Sequence, residues 1–480
     1  MSEQGRSGAA GNGGGAPKKA GRSGTRLTLT RRSSGPATQE TSGVGARDLA
    51  LTMLSDVLDR GRTLDDAVAS ALASSKGLTL DTRDRGLARL IATTVLRRKS
   101  AIEAIFQIFM EKPLPPRLED ARRIMLVAAA QILYLETPAH AAVSIAVAQT
   151  RSHHAIQHLS KLVNAVLRRV SLEGRALLPD VGDPITAFPA WLREGLEQTY
   201  GTGKARDIAE ASLTEAPLDL TIKNAGELAQ WADRLGGIVL STGSVRLASG
   251  GRIEDRKGYA DGAWWVQDAA AALPARLLGD DLTGQAIVDL CAAPGGKTAQ
   301  LAARGADVTA VDISGHRLKR VAENLGRLGL TANLVEADAA SWQPGRIFDA
   351  VLLDAPCSAS GTIRRHPDIL HLKRDKDVAE LVRLQTKLLS HAADLVRPGG
   401  TLIYCTCSML RAEGESRIQG FLDRHPGFAR APISPGETGT SPAWLTPEGA
   451  LRTLPTDTPD GDPEKRGMDG FYIARLVRRQ

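Results

Sequence analysis

The chain has 480 residues, 24% of them charged and 42% hydrophobic, with a formal net charge of +7. That length accommodates two or three domains with sizeable cores, and four cysteines in so long a chain exclude a disulfide-stapled scaffold. No CxxC pair spaces the thiols for structural zinc, no apolar run is long enough to span a bilayer, and the N-terminus lacks the apolar core of a secretory signal. A reduced, soluble, cytoplasmic protein with no metal and no membrane partner is expected, and a monomer.

The charge is unevenly spread. Residues 1–45 carry seven Lys or Arg against two Glu, which leaves +2 for the rest. A basic tail on a nearly neutral body fits a polyanionic partner or a solubilising segment. Its Gly, Ser, Arg and Ala show no apolar period, so disorder is predicted there.

From Ala46 the pattern turns helical. Ala50, Met53, Leu54, Val57 and Leu58 share one helix face, and so do Leu87, Leu90, Ile91 and Val95. Ile102, Ile105, Phe106 and Phe109 repeat the spacing, 124–135 is apolar enough for a buried central helix, and 143–147 and 159–170 complete the set. Gly61, Gly77, the Pro113–Pro116 run and Pro138 mark breaks. Residues 46–172 are therefore expected to form an all-helical unit. The segments DRGLARLIATTVLRR (84–98) and KLVNAVLRRV (161–170) resemble the NusB-like domain, a likeness that implies RNA binding.

Residues 173–258 read as a linker with a small α/β subdomain, with short strands at 218–222, 238–240 and 245–247 and a helix at 227–235. The last unit, 259–480, alternates strands and helices. Strands are predicted at 287–290, 307–311, 333–335, 349–353, 401–405 and 471–477, with helices at 298–303, 315–328, 377–396 and 413–424. Such alternation means a mostly parallel, Rossmann-like doubly wound sheet.

The chemistry concentrates at the strand ends. Ile287–Leu290 runs into Cys291-Ala292-Ala293-Pro294-Gly295-Gly296, and Lys297-Thr298 opens a helix. Strand, Gly-rich turn and helix form the nucleotide-binding opening of such a sheet. A P-loop would need glycine at position 291, which is cysteine, and a dinucleotide turn would need GxGxxG, which is absent. The next strand ends at Asp312, about 20 residues on, where an acid accepts ribose hydroxyls in such folds. The third runs Leu334-Val335-Glu336-Ala337-Asp338, and the fourth ends at Asp354. Helix capping accounts for any single one of these acids. Three beside a Gly loop suit a ligand that bears a ribose, a purine amine and a cationic amino acid, and S-adenosylmethionine has all three.

Cys357 follows Asp354-Ala355-Pro356, and Cys407 ends Tyr404-Cys405-Thr406-Cys407 on the next strand. Neighbouring strand ends open into one crevice, so two thiols and an acid are expected to meet there. Cys291 and Cys405 read as small buried hydrophobes. Arg364 and Arg365 suit RNA phosphates or form an ordinary solvated loop.

The motifs DLCAAPGGKT (289–298), VDIS (311–314), DAPCSASG (354–361), IRRHPD (363–368), YCTCS (404–408) and DGFYIARL (469–476) resemble the RNA cytosine-carbon-5 methyltransferase family. With the NusB-like front, the chain is similar to its bacterial Sun-type branch, which methylates small-subunit ribosomal RNA. The resemblance implies S-adenosyl-L-methionine as methyl donor and ribosomal RNA as partner. It implies Cys407 as the nucleophile at carbon-6, Cys357 as an aid to product release, and Asp354 on the base edge. It further implies Asp312 on the ribose, Asp338 at the adenine end, and Cys291, Ala292, Ala293, Pro294, Gly295, Gly296 and Lys297 at the methionine end. A DNA methyltransferase would use the cysteine after proline as nucleophile; Cys407 and the helical front argue against it. A catalytically dead assembly factor is disfavoured because every expected catalytic residue is present.

Overall fold

In the computed structural model the described residues are 39–248, 251–458 and 467–480. The predicted tail therefore lies outside them up to residue 38. Helix α1 (Gln39–Leu58) already begins inside the segment expected to be disordered.

Six further helices build the front unit: α2 (Leu64–Ala73), α3 (Ser75–Thr79), α4 (Thr82–Phe109), α5 (Glu119–Tyr134), α6 (Ala139–Ser152) and α7 (Ser160–Val181). Their stops are local. Asp81 caps α4 by accepting from Asp84 N, and the prolines of 113–116 separate α4 from α5. Helix α5 is buried along nearly its whole length, and the other helices wrap it in one apolar core.

Two more helices, α8 (Ala190–Tyr200) and α9 (Thr202–Ser212), bury Leu192, Leu196 and Ile208 against Ile363, Ile369 and Met409. A small antiparallel sheet follows in the order β2 (Ile238–Val239), β3 (Val245–Leu247), β1 (Leu218–Ile222), β4 (Trp264–Val266), flanked by α10 (Leu228–Leu235). Strand β4 lies beyond residue 258, where the last unit was expected to begin, yet it pairs with β1 in this sheet.

The large sheet has the order β10 (Phe428–Arg430), β12 (Phe471–Arg478), β9 (Val396–Thr406), β8 (Phe348–Asp354), β5 (Ala286–Leu290), β6 (Asp307–Asp312), β7 (Asn333–Glu336), and β11 (Leu451–Thr453) pairs with β12. Strands β5 to β9 are parallel, and β12 runs antiparallel to β9. Helices α11 (Ala269–Arg276), α12 (Gly296–Ala303), α13 (Gly315–Leu328), α14 (Ile369–Leu372), α15 (Asp375–Leu395) and α16 (Glu415–Arg424) accompany it. Both faces of its central strands are covered. Ile287, Leu352 and Ile403 bury with α11 and α12, while Val288, Val351 and Leu402 bury with α15 and α16. That is why these strands read as continuous apolar runs. Chain order reverses between β5 and β8, which opens a crevice at their carboxyl ends.

The units are tied together by polar contacts to the segment between the two motif cysteines. Leu64 N donates to Asp368 (3.0 Å), Arg97 donates to the carbonyl of Arg364 (2.6 Å), and His371 Nε2 meets the carbonyl of Leu96 (2.8 Å). Asp219 on β1 accepts two bonds of 2.7 Å from Arg246 on β3 and one from Ala269 N at the start of α11. Both charges of the Asp219–Arg246 pair are 1% exposed. Arg246→Ala leaves a buried carboxylate without its partner, and a loss of about 3–5 kcal/mol is expected. Thermal melting checks it: an unchanged midpoint contradicts the assigned role.

Candidate active site

The loop after β5 is shaped by backbone constraint. Cys291 has φ 63° and Gly295 φ 98°. A Cβ on Gly295 would stand 2.9 Å from Val321 Cγ1, so only glycine fits this turn without displacing α13. Ala292 N donates to the carbonyl of Val311, and Ala293 N donates to Asp312 Oδ2 (3.1 Å). Arg317 donates to the carbonyl of Ala293 (2.6 Å) and pairs with Asp312. Asp312 thus sits at the end of β6 as expected, 1% exposed, and bonds its own loop. A carboxylate offers about four acceptor positions, so capacity remains for a hydroxyl.

Strand β7 ends at Glu336, not at Asp338. Asp338 stands two residues further on, exposed, where it accepts from Ala340 N (2.9 Å). Ile313, within the VDIS motif, follows Asp312 and is 69% exposed.

Lys297 opens α12 and turns inward. Its Nζ lies 2.7 Å from Asp354 Oδ2 and 5.3 Å from the centroid of the Phe471 ring. Burial is the largest single influence and works against the ammonium, but the surrounding acidic groups, Asp354 first, together hold the lysine above its ordinary range. Asp354 Oδ1 accepts a weak 3.5 Å contact from Cys405 Sγ, and that fully buried thiol is pushed well up, first by burial and then by the carboxylate. Cys291 is pushed up by burial and by Asp354, Asp312 and Asp289. Its thiolate is disfavoured, consistent with a structural part.

Cys357 and Cys407 come together across the ends of β8 and β9, with Sγ to Sγ 3.4 Å. The contact with Cys407, added to burial, pushes Cys357 well up. Beneath them lies Glu413, fully buried, which sequence reading missed. It accepts from Ser358 and Ser408, the residues directly after the two cysteines.

Arg364 and Arg365, expected from sequence to suit RNA phosphates, are placed differently. Arg364 is 2% exposed, and burial lowers its pKa. Its neighbours are the buried interior and Gly467. Arg365 bonds the buried carboxylate of Asp469. Only Arg364 is turned inward; the Arg365 side chain remains 32% exposed. Among the described residues no cluster suited to a metal ion occurs, and no helix is long and apolar enough to cross a membrane.

The family described as 16S rRNA methyltransferase RsmB/F matches residues 278–477, and the NusB family matches residues 45–172. The ribosomal RNA small subunit methyltransferase B of Xanthomonas campestris pv. campestris is 38% identical over 452 residues, covering 91% of this chain and 98% of that protein. The chain belongs to the RsmB/F methyltransferase family. The enzyme of the same name from Xylella fastidiosa strain Temecula1 is 36% identical, again over 91% of this chain and 98% of its own length. In fold the chain is similar to the crystal structure of PH0851, with a TM-score of 0.69 and 23% identity over 90% of this chain and 98% of that one. The helical front and the Rossmann-like sheet expected from sequence are both those of this family.

Asp289 in β5 is a further buried acid of the family domain. Its Oδ2 accepts from Thr298 (2.6 Å), and its Oδ1 has no partner. Burial raises its pKa to about 7. A carboxyl raised on folding favours the folded state at low pH, and that contribution is lost as pH rises through the folded value. Asp289→Asn removes the titration, so from about pH 5 to about pH 8 the variant is expected to gain stability relative to the parent. Parallel melting curves with a pH-independent difference would exclude the titration.

Proposed function

We propose that this protein transfers the methyl group of S-adenosyl-L-methionine to carbon-5 of a cytosine in 16S ribosomal RNA, through a covalent Cys407 adduct at carbon-6. The observation that carries the reading is the meeting of two thiols, 3.4 Å apart, on strand ends beside the Lys297–Asp354 pair. The residues present suit the cofactor. Asp312 and Asp338 offer carboxylates to a ribose and an adenine amine, and the loop 291–297 lies between Asp312 and Asp354, with an unsatisfied Asp289 oxygen behind it. When bound, S-adenosylmethionine supplies an electrophilic sulfonium methyl.

The chain's own groups do the rest. Carbon-5 of cytosine is a poor nucleophile. Addition of the Cys407 thiolate to carbon-6 makes carbon-5 enamine-like, so that it can take the methyl. Asp354, held by Lys297, is placed to accept from the amine at the ring edge and so to orient the base for addition at carbon-6. Water takes the carbon-5 proton, the electron pair of that bond re-forms the ring double bond, the pair of the carbon-6 to sulfur bond leaves on sulfur, and the Cys407 thiolate is restored. Cys357, with its thiol kept protonated, stands beside the sulfur that must depart.

We read the units as 46–172 for RNA binding, 173–258 as linker and small subdomain, and 259–480 for methyl transfer, acting as a monomer in the cytoplasm. A ribosomal RNA fits the NusB family match and the names of the relatives.

Cys407→Ala is expected to abolish both methylation and adduct. Cys357→Ala is expected to accumulate a protein–RNA adduct visible on a denaturing gel, on RNA and not on DNA. Full activity of Cys407→Ala would overturn the mechanism. Bisulfite mapping of 16S ribosomal RNA from a strain lacking the protein tests the substrate: complete retention of every methylcytosine would overturn that assignment.

A further inference from the structure

The two thiols must reach the same cytosine in turn, so their spacing is a kinetic quantity. Nothing covalent sets it. Cys357 lies in the loop after β8 and Cys407 in the loop after β9, and the two are 50 positions apart in the chain. One side chain bridges the loops from below. Glu413 Oε1 accepts from Ser358 N (2.9 Å) and from Gln385 Nε2 (3.0 Å). Its Oε2 accepts from Ser358 Oγ (2.5 Å) and from Ser408 Oγ (2.6 Å). All four acceptor positions are used, by donors that follow Cys357 and Cys407 directly or, for Gln385, that also hold the carbonyl of Pro356 (2.9 Å).

The bridge is rigid. Glu413, Ser358, Ser408 and Gln385 are all fully buried or nearly so. Ser408 Oγ accepts from Leu410 N (3.1 Å), and Ser360 Oγ accepts from Met409 N (3.0 Å). Gly361 N donates to the carbonyl of Cys407 (2.9 Å), and the Tyr404 hydroxyl donates to the carbonyl of Glu413 (2.8 Å). Charge-assisted bonds to a buried carboxylate are the strong ones, because water does not compete for them.

We propose that Glu413 is a positioning residue that clasps the loops of Cys357 and Cys407 and so sets the geometry of adduct formation and of adduct release. It touches neither thiol's substrate; it acts through Ser358 and Ser408. The proposal rests on the two-cysteine mechanism and assigns the part that mechanism leaves open, namely what keeps the nucleophile and the release thiol in register. The two serines divide the task. Ser408 holds the nucleophile's side and Ser358 the release thiol's side.

The test is single-turnover kinetics on 16S RNA with S-adenosylmethionine, following adduct formation and adduct decay separately, on the full chain. Glu413→Gln places an amide where donors converge. It is expected to slow formation by about tenfold or more, since a displacement of about an ångström costs up to a hundredfold, with the KM for S-adenosylmethionine unchanged. Ser408→Ala is expected to slow formation and spare decay. Ser358→Ala is expected to slow decay, so that adduct accumulates as it does in Cys357→Ala. A purely structural role lowers both steps alike, in proportion to the folded fraction measured by melting. Equal slowing in both serine variants, or rates within twofold of the parent in both, overturns the proposal even if Glu413→Gln does not fold. Absence of any adduct in the parent and in Cys357→Ala would instead remove the two-cysteine mechanism itself.

Discussion

The contact between Lys297 and Asp354 joins the two halves of the crevice. Lys297 lies in the first turn of the helix after β5, and Asp354 ends β8; the two residues are 57 positions apart in sequence, but their strands are neighbours in the sheet. The 2.7 Å pair closes the point where chain order reverses, and so fixes the loop after β5 against the strand that ends at Asp354, the acid proposed to meet the base. A buried pair of this kind contributes little net stability, because desolvating both charges offsets their attraction. Its value lies in direction. The carboxylate is held with one oxygen on the lysine and the other toward Cys405, in a site where neither charge can wander without losing its partner.

The four cysteines show how position divides one chemistry into several roles. Cys291 and Cys405 are surrounded by acids and apolar atoms, which penalise their thiolates. Cys357 is pushed up as well, by its neighbour Cys407 first and by burial second. A thiol that stays protonated beside a departing sulfur is suited to release; one that faces the crevice beside it is suited to attack. The serines and Glu413 beneath supply the register between them. The helical front closes over the segment 364–371 from the other side and turns Arg364 into the interior.

Much of the sheet was legible. The strands β5, β6, β8 and β12 begin and end within a residue of where apolar runs predicted them, since strands buried on both faces have little choice of composition. Strand β9 starts at Val396, five residues early, because Arg397-Pro398-Gly399-Gly400 reads as a breaker while the chain in fact bends through it, with Gly399 at φ 72°. The three-residue strands β10 and β11 exist through pairing with β12, a partner far along the chain, and have no periodicity of their own. Trp264–Val266 is a strand for the same reason: its partner β1 lies more than 40 positions earlier.

The sequence by itself determined the family and the alternation of strands and helices, and it singled out the candidate reactive groups, because motif chemistry and burial period are local properties of the chain. Only the tertiary structure decided which groups meet. It brought Cys357 to 3.4 Å from Cys407, drew Lys297 onto Asp354, buried Arg364, and placed Glu413 under serines that lie 55 and 5 positions away. Such contacts follow from strand order and from the docking of one unit on another, and no spacing within a segment encodes the distance between two loops that the sheet brings side by side.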